Sequence, residues 1–324
     1  MKSLTPKLDL HCHLEGAASP DLVRALAQRN SIDLPEGLFD GHGGFVWSDF
    51  LSFLNAYDLA SSVIRTPLDY RDVMYEYLRT CADEGGIYAE VFSSPDHAAA
   101  TGISYAGHLE GISAGIDDAE RDFGITGRII VTCVRHLGPE RGLVIADAVV
   151  NEPHPHVVGF GMGGDENVFQ LSDFAPAFDK VSGAGLPCTV HAGEVRGAES
   201  VTDALDNLPI ARIGHGVRSI DDPRVLDRII DTGVVLEVCT GSNLSLGLFE
   251  DVKSHPLRRL IDAGCQVVFG SDDPPFFATS IGAEYDRAEH KMGLSPNEIE
   301  HINLTAIDAA FCDDVIKEKL RARL

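Results

Sequence analysis

The chain has 324 residues, 44% of them hydrophobic and 23% charged, and a formal net charge of −24. That length and composition suit one large α/β domain spanning residues 1–324 and exclude a disordered or low-complexity chain. The negative charge argues against nucleic acid and anionic membrane surfaces as partners, because both are held by Lys and Arg. No apolar run approaches a membrane span and no apolar segment follows the N-terminus, so the expected location is cytoplasmic. The seven cysteines, an odd count without a Cys-x-x-Cys pair, read as reduced and mostly buried thiols.

In chain order, the first predicted strand covers residues 8–11 and runs into His11-Cys12-His13-Leu14-Glu15. Side chains at i and i+2 of a strand share a face, so His11 and His13 converge on one point, as ligands of a zinc, iron, nickel or copper ion would. Ordinary hydrogen-bonding histidines have the same spacing. A second such pair, in Pro153-His154-Pro155-His156, is expected in a surface loop because its prolines deny a ladder position. Between the first strand and the second lie residues 16–86, with helical patterns at 20–28 and 68–83 and the segment Trp47-Ser48-Asp49-Phe50-Leu51-Ser52-Phe53-Leu54 between them. Extra material of this kind beside a barrel mouth is expected to form a helical lid.

Further strands are predicted at 87–93, 128–134, 157–161, 187–191, 211–215, 234–239 and 266–271, interleaved with helical stretches such as 109–123, 174–183, 222–232 and 256–262. This alternation predicts a parallel sheet, and its eight strands predict closure into a (β/α)8 TIM barrel; a doubly wound open sheet is the alternative. The segments 281–290 and 296–320 read as extra C-terminal helices packed against the outside of the barrel.

Polar residues gather at the predicted strand ends. His191-Ala192-Gly193-Glu194 ends the fifth strand, Ile213-Gly214-His215-Gly216 the sixth, and Gly270-Ser271-Asp272-Asp273-Pro274 the eighth. Taken singly they read as a turn, a tight packing site and a helix N-cap. In a barrel, however, all C-terminal strand ends meet at one mouth, and together with His11 and His13 these motifs describe a single reaction centre.

With its motifs in this order, the chain resembles the adenosine deaminase family of the amidohydrolase superfamily over nearly its whole length. The resemblance implies that His11, His13, His191 and Asp272 bind one Zn2+ per chain, and that Glu194, His215 and Asp273 are catalytic. It further implies that His13, Glu15, Gly164 and Asp273 contact a small-molecule purine, with the N–H of Gly164, from Gly164-Asp165-Glu166, facing the purine N3. The chemistry is consistent with those roles. Three imidazoles and one carboxylate leave a position for water, whose pKa a divalent ion lowers towards about 7. Attack on a ring carbon bearing an amino group drives charge onto the neighbouring ring nitrogen, so a protonated acid is needed there; Glu194 qualifies if apolar surroundings raise its pKa. His215 would steer the water, and Asp273 would bond the imidazole edge of the purine.

Residues 157–166 contain no lysine of the type that bridges two metals in similar barrels, which favours a mononuclear site. The chain also lacks the His-x-Glu and Pro-Cys-x-x-Cys signature of deaminases that edit nucleic acid. Three features depart from the family pattern around the pocket: Glu15 where Asp is usual and where a sugar would be read, Met162-Gly163 in place of Leu-Ala, and Cys239-Thr240-Gly241-Ser242-Asn243 without the proline after the cysteine. The expected reaction is hydrolysis of adenosine or 2'-deoxyadenosine to the inosine product and ammonia. Adenine, or another modified 6-aminopurine, is the alternative substrate. A non-catalytic purine- or metal-binding protein on the same scaffold is the competing class, and the retention of Glu194 speaks against it.

Overall fold

The computed structural model describes residues 5–324. Eight parallel strands, β1 (Lys7–His13), β2 (Gly86–Ser93), β3 (Thr126–Val134), β4 (Val157–Gly163), β5 (Thr189–Ala192), β6 (Arg212–His215), β7 (Val235–Val238) and β8 (Val267–Phe269), alternate with helices. Continuous ladders join β1 to β4 and β5 to β8. Two short seams close the ring. At the first, the Phe160 N–H donates to Pro187 O at 3.1 Å; at the second, Asp272 N–H donates to His11 O and His13 N–H to Asp272 O, both at 2.8 Å. Closure removes the free sheet edges, and the (β/α)8 architecture read from the alternation is the one found. β1 runs two residues further than predicted, through His13, and its pairing with β2 shifts register between Asp9 and Cys12.

The long insertion after β1 forms α1 (Pro20–Arg29) and α2 (Phe50–Ser61), followed by α3 (Pro67–Asp83). Local chemistry sets the starts of the last two. Asp49 accepts the Ser52 N–H at 2.8 Å and Thr66 accepts the Asp69 N–H at 3.2 Å, each in a capping box, and Pro67 occupies a first-turn position where its missing N–H costs nothing. α2 lies over the C-terminal ends of the strands as a wall of the pocket, anchored by Phe53 against Phe277 (ring centroids 4.9 Å apart) and, just before the helix, by Trp47 Nε1–H donating to Phe276 O at 3.0 Å.

The tail differs from the expectation. Residues 296–320 are not one helical run but two helices, Pro296–Ala309 and Asp314–Arg321, separated where Ala310 turns out of the helix at φ −56°, ψ 141°. The intervening stretch passes under the barrel: the Phe311 N–H donates to Glu90 at 2.6 Å and Arg212 donates to Ala309 O at 3.0 Å. The tail therefore plugs the bottom of the barrel as well as covering its side, because Leu8, Leu10, Tyr88 and Val268 would otherwise face water there. The His154–His156 pair lies in the loop before β4, as expected, and all seven cysteines are buried and free. Among the described residues no helix is long and apolar enough to cross a membrane.

Candidate functional site

The structure brings the predicted reaction residues together at the C-terminal mouth. His11 and His13 project from β1, His191 from β5 and His215 from the last position of β6; Glu194 and the Asp272-Asp273 pair follow β5 and β8. His191 Nε2 lies 3.1 Å from the Nε2 atoms of both His11 and His13. Asp272 reaches His13 Nε2 at 3.5 Å and His215 Nε2 at 3.9 Å, and His215 Nε2 is 3.6 Å from the Glu194 carboxyl. Small residues make this crowding possible: a Cβ on Gly214 would stand 2.8 Å from the His11 ring, and one on Gly270 would stand 2.4 Å from His11 Cβ. His215 (φ 60°) and Asp272 (φ 61°) hold left-handed backbone, a conformation that costs non-glycine residues about 1–3 kcal/mol and clusters at functional sites.

Proton positions follow from the partners. His11 Nδ1 donates to Glu237 at 2.7 Å and His191 Nδ1 to the Met162 carbonyl at 2.8 Å, so both present bare lone pairs at Nε2. Burial holds the pKa values of His11, His13 and His191 below the ordinary imidazole range. The His11 and His191 lone pairs, converging at 3.1 Å, repel each other unless a cation lies between them. A tetrahedral ion with bonds of about 2.0–2.1 Å sets its ligands roughly 3.4 Å apart, close to the spacing seen, so the donor set fits a zinc-type ion.

The acids are equally perturbed. Burial, with Asp272 and Glu166 adding, pushes the Glu194 carboxyl well above its usual range, so the cause is partly its carboxylate neighbours and not apolar surroundings alone. Burial and then Asp272 raise Asp273, and burial brings Asp272 up to about 6. Asp273 Oδ1 is buried without a protein partner and fits against Gly16, where a Cβ would stand 1.7 Å from it.

The pocket above these groups is walled by Phe50, Phe53, Leu54 and Tyr57 of α2. Gly164 lines it with φ 105°. Among the described lining residues there is no Lys or Arg, so a phosphate would lack a fixed counter-charge. Glu15 also lines the pocket, but its carboxylate accepts from Ser93 Oγ (2.7 Å), Ser94 N (3.2 Å), Tyr70 OH and Tyr57 OH (both 3.4 Å).

Sequence reasoning missed the groups beneath this layer. Glu166 accepts the N–H groups of Gly193 (2.6 Å), Glu194 (3.2 Å), Val195 (2.8 Å) and Arg196 (2.9 Å) plus Ser200 Oγ (2.6 Å), and so cradles the loop that carries Glu194. Arg212, fully buried, bonds Glu237 at 2.5 Å and Glu90 at 2.7 Å beneath His11. A signal for the last two existed: a glutamate inside an otherwise apolar strand run must find a buried partner.

A closed parallel barrel whose strand ends gather three imidazoles and a carboxylate beside a buried acid whose pKa is raised is the architecture of a metal-dependent hydrolase. The sequence profile of the adenosine deaminase family matches residues 6–324. An adenine deaminase from Sinorhizobium medicae is 46% identical over 318 residues, covering 98% of each chain. The solved adenine deaminase from Arthrobacter aurescens superposes with a TM-score of 0.91 at 29% identity, over 97% of this chain and 96% of that one. An amidohydrolase from Burkholderia ambifaria, solved with bound zinc, gives 0.89 at 29% identity, over 98% and 88%. The chain belongs to the adenosine deaminase family. It is a hydrolase that acts on carbon–nitrogen bonds.

Proposed function

We propose that the substrate is adenine, converted to hypoxanthine and ammonia, and that one zinc ion per chain is held by His11, His13, His191 and Asp272. The observation that carries this reading is the state of Glu15. A carboxylate has about four acceptor sites, and the protein's own hydroxyls and one backbone amide already supply four donors. The expectation that Glu15 reads a sugar hydroxyl gives way to one in which it closes the space a ribose would need. The names of the relatives, adenine deaminases at 46% identity, point the same way.

A zinc ion bound there would lower the pKa of water at its open position towards about 7. Glu194, whose pKa burial raises, is the acid that donates to the ring nitrogen beside the attacked carbon. Asp273, with an unpartnered buried oxygen, takes the imidazole edge, and the Gly164 N–H faces N3. His13 borders the ring as well as the metal. Ultraviolet assays of purified protein with adenine and adenosine, alongside metal analysis, test the reading. The expected result is kcat/KM favouring adenine by roughly 10²-fold or more, with one zinc per chain. Preference for adenosine would return Glu15 to a sugar-reading role, and two metals per chain would remove the mononuclear assignment.

A further inference from the structure

Two polar side chains near the site have no part in the chemistry above: Asn243 (0% exposed), which follows β7, and His255 (3% exposed). They form an unbroken hydrogen-bonded line from a backbone amide to His215. The Leu257 N–H, opening the helix Leu257–Ala263, donates to His255 Nδ1 at 3.2 Å. His255 Nε2 lies 3.1 Å from Asn243 Oδ1, and Asn243 Nδ2 lies 3.3 Å from His215 Nδ1.

Only one polarity satisfies every link. A backbone N–H always donates, so His255 Nδ1 holds a lone pair and its single proton sits on Nε2. Burial keeps this ring neutral, with a pKa lowered to about 3. The Nε2–H requires an acceptor, which turns the Asn243 oxygen towards His255 and its NH2 towards His215. An amide NH2 can only donate, so His215 Nδ1 accepts. The proton of His215 is therefore on Nε2, the atom 3.6 Å from Glu194 and 3.9 Å from Asp272.

We propose that Asn243 and His255 are positioning residues that lock His215 as its Nε2–H tautomer, so that it donates a hydrogen bond to the attacking water oxygen and does not act as a base. The proposal rests on the reading of this site as a hydrolytic centre. The opposite tautomer would turn a further imidazole lone pair into a site where His11 and His191 already present theirs, and would remove the donor.

The test uses zinc-loaded, 15N-labelled protein and two-bond 1H–15N correlation of the imidazoles, with His215 assigned by its loss in H215Q. The native spectrum should show the Nε2–H pattern. N243D keeps the shape but turns the donor into an acceptor while still satisfying His255. It should move His215 to Nδ1–H and lower kcat by about 10²-fold, the scale of losing one preorganised donor, with KM and zinc content within about twofold of native. H255F, which frees the amide to turn either way and serves if N243D does not fold, should give mixed tautomers and about a tenfold loss of kcat. A native Nδ1–H pattern, or full kcat in N243D after the tautomer has changed, would overturn the proposal. A native protein inactive on purines yet showing the Nε2–H pattern would overturn the functional reading and leave the tautomer assignment intact.

Discussion

The carboxylate of Glu166 holds the loop that carries Glu194, and replacing it by glutamine puts a number on that support. Glu166 is 1% exposed and accepts five hydrogen bonds, three at Oε2 and two at Oε1. In E166Q the amide oxygen is best left on the side of Glu194, Val195 and Arg196. The NH2 then faces Ser200, whose hydroxyl can reverse and accept, and the Gly193 N–H, which cannot. One buried amide without a partner costs about 1–3 kcal/mol, and the remaining bonds lose their charge assistance, so a total of about 2–4 kcal/mol is expected. At about 2 °C per kcal/mol for a chain of this size, Tm should fall by roughly 4–8 °C. A shift of Glu194 by about 1 Å should lower kcat by about 10²-fold, with metal content unchanged. The negative charge of Glu166 also helps hold Glu194 above the usual carboxyl range, so its removal lowers that pKa. Since the acid form of Glu194 is the active one and is lost as pH rises, the basic limb of the kcat profile should move to lower pH. Calorimetry and a pH series on adenine check all three. An E166Q protein with native Tm and native kcat would show that the cradle does not position the loop.

His108 is fully buried and bonded to Ser93 Oγ, and burial, with His97 adding, lowers its pKa to about 3. The unfolded chain, with an ordinary value near 6.5, binds the proton first on acidification. The stability this group contributes is therefore complete above pH 6.5 and lost as pH falls towards 3, about 2 kcal/mol between pH 7 and pH 5. H108Q should lessen the difference between urea unfolding at those two pH values by that amount; an unchanged difference would show that the folded ring takes up the proton. In R212M, Glu90 and Glu237 are left buried without their cation, which should cost about 3–5 kcal/mol. Adding E90Q and E237Q should recover stability but not metal retention. With its hydrogen-bonded carboxylate gone, His11 should hold the ion about 10–100-fold less tightly in competition with a chelator. Native retention in the triple variant would remove Glu237 from the metal's support.

The reaction centre was legible because each of its groups lies at the end of an apolar run, and the barrel brings all such ends to one mouth. His11, His13, His191, His215 and Asp272 therefore follow from periodicity and topology before any distance is measured. The layer beneath was not legible, since it depends on pairings across 25 to 226 residues of chain, as between Arg212 and Glu237 or His11 and Glu237. Asn243 sits in the six-residue helix Thr240–Ser245 and His255 in an irregular segment, both too short to show a period. The tail misled for a different reason: 296–320 has helical composition throughout, and what interrupts it is the tertiary demand of Glu90 and Arg212 for partners at Ala309 and Phe311. Glu15 could be located but not interpreted, because whether a carboxylate is free to bind a ligand depends on donors from β2, α2 and α3 that only the fold assembles.

The seam between β8 and β1 joins these two layers. Its two hydrogen bonds use the backbone of His11, His13 and Asp272, the same residues whose side chains form part of the proposed metal set. A regular ladder pairing Cys12 with Asp272 would have put the Asp272 side chain on the face of Cys12, away from His11 and His13. The short seam, with Asp272 in left-handed backbone, instead turns its carboxylate to within 3.5 Å of His13. The strain at Asp272 is sustained because the seam hydrogen bonds, the Asp9 carboxylate accepting the Ser271 N–H at 3.1 Å, and the missing side chain of Gly270 fix the backbone on both sides. Closure of the barrel and assembly of the site are thus one structural event. A substitution that lengthened the seam into regular sheet would separate the ligands it was meant to hold.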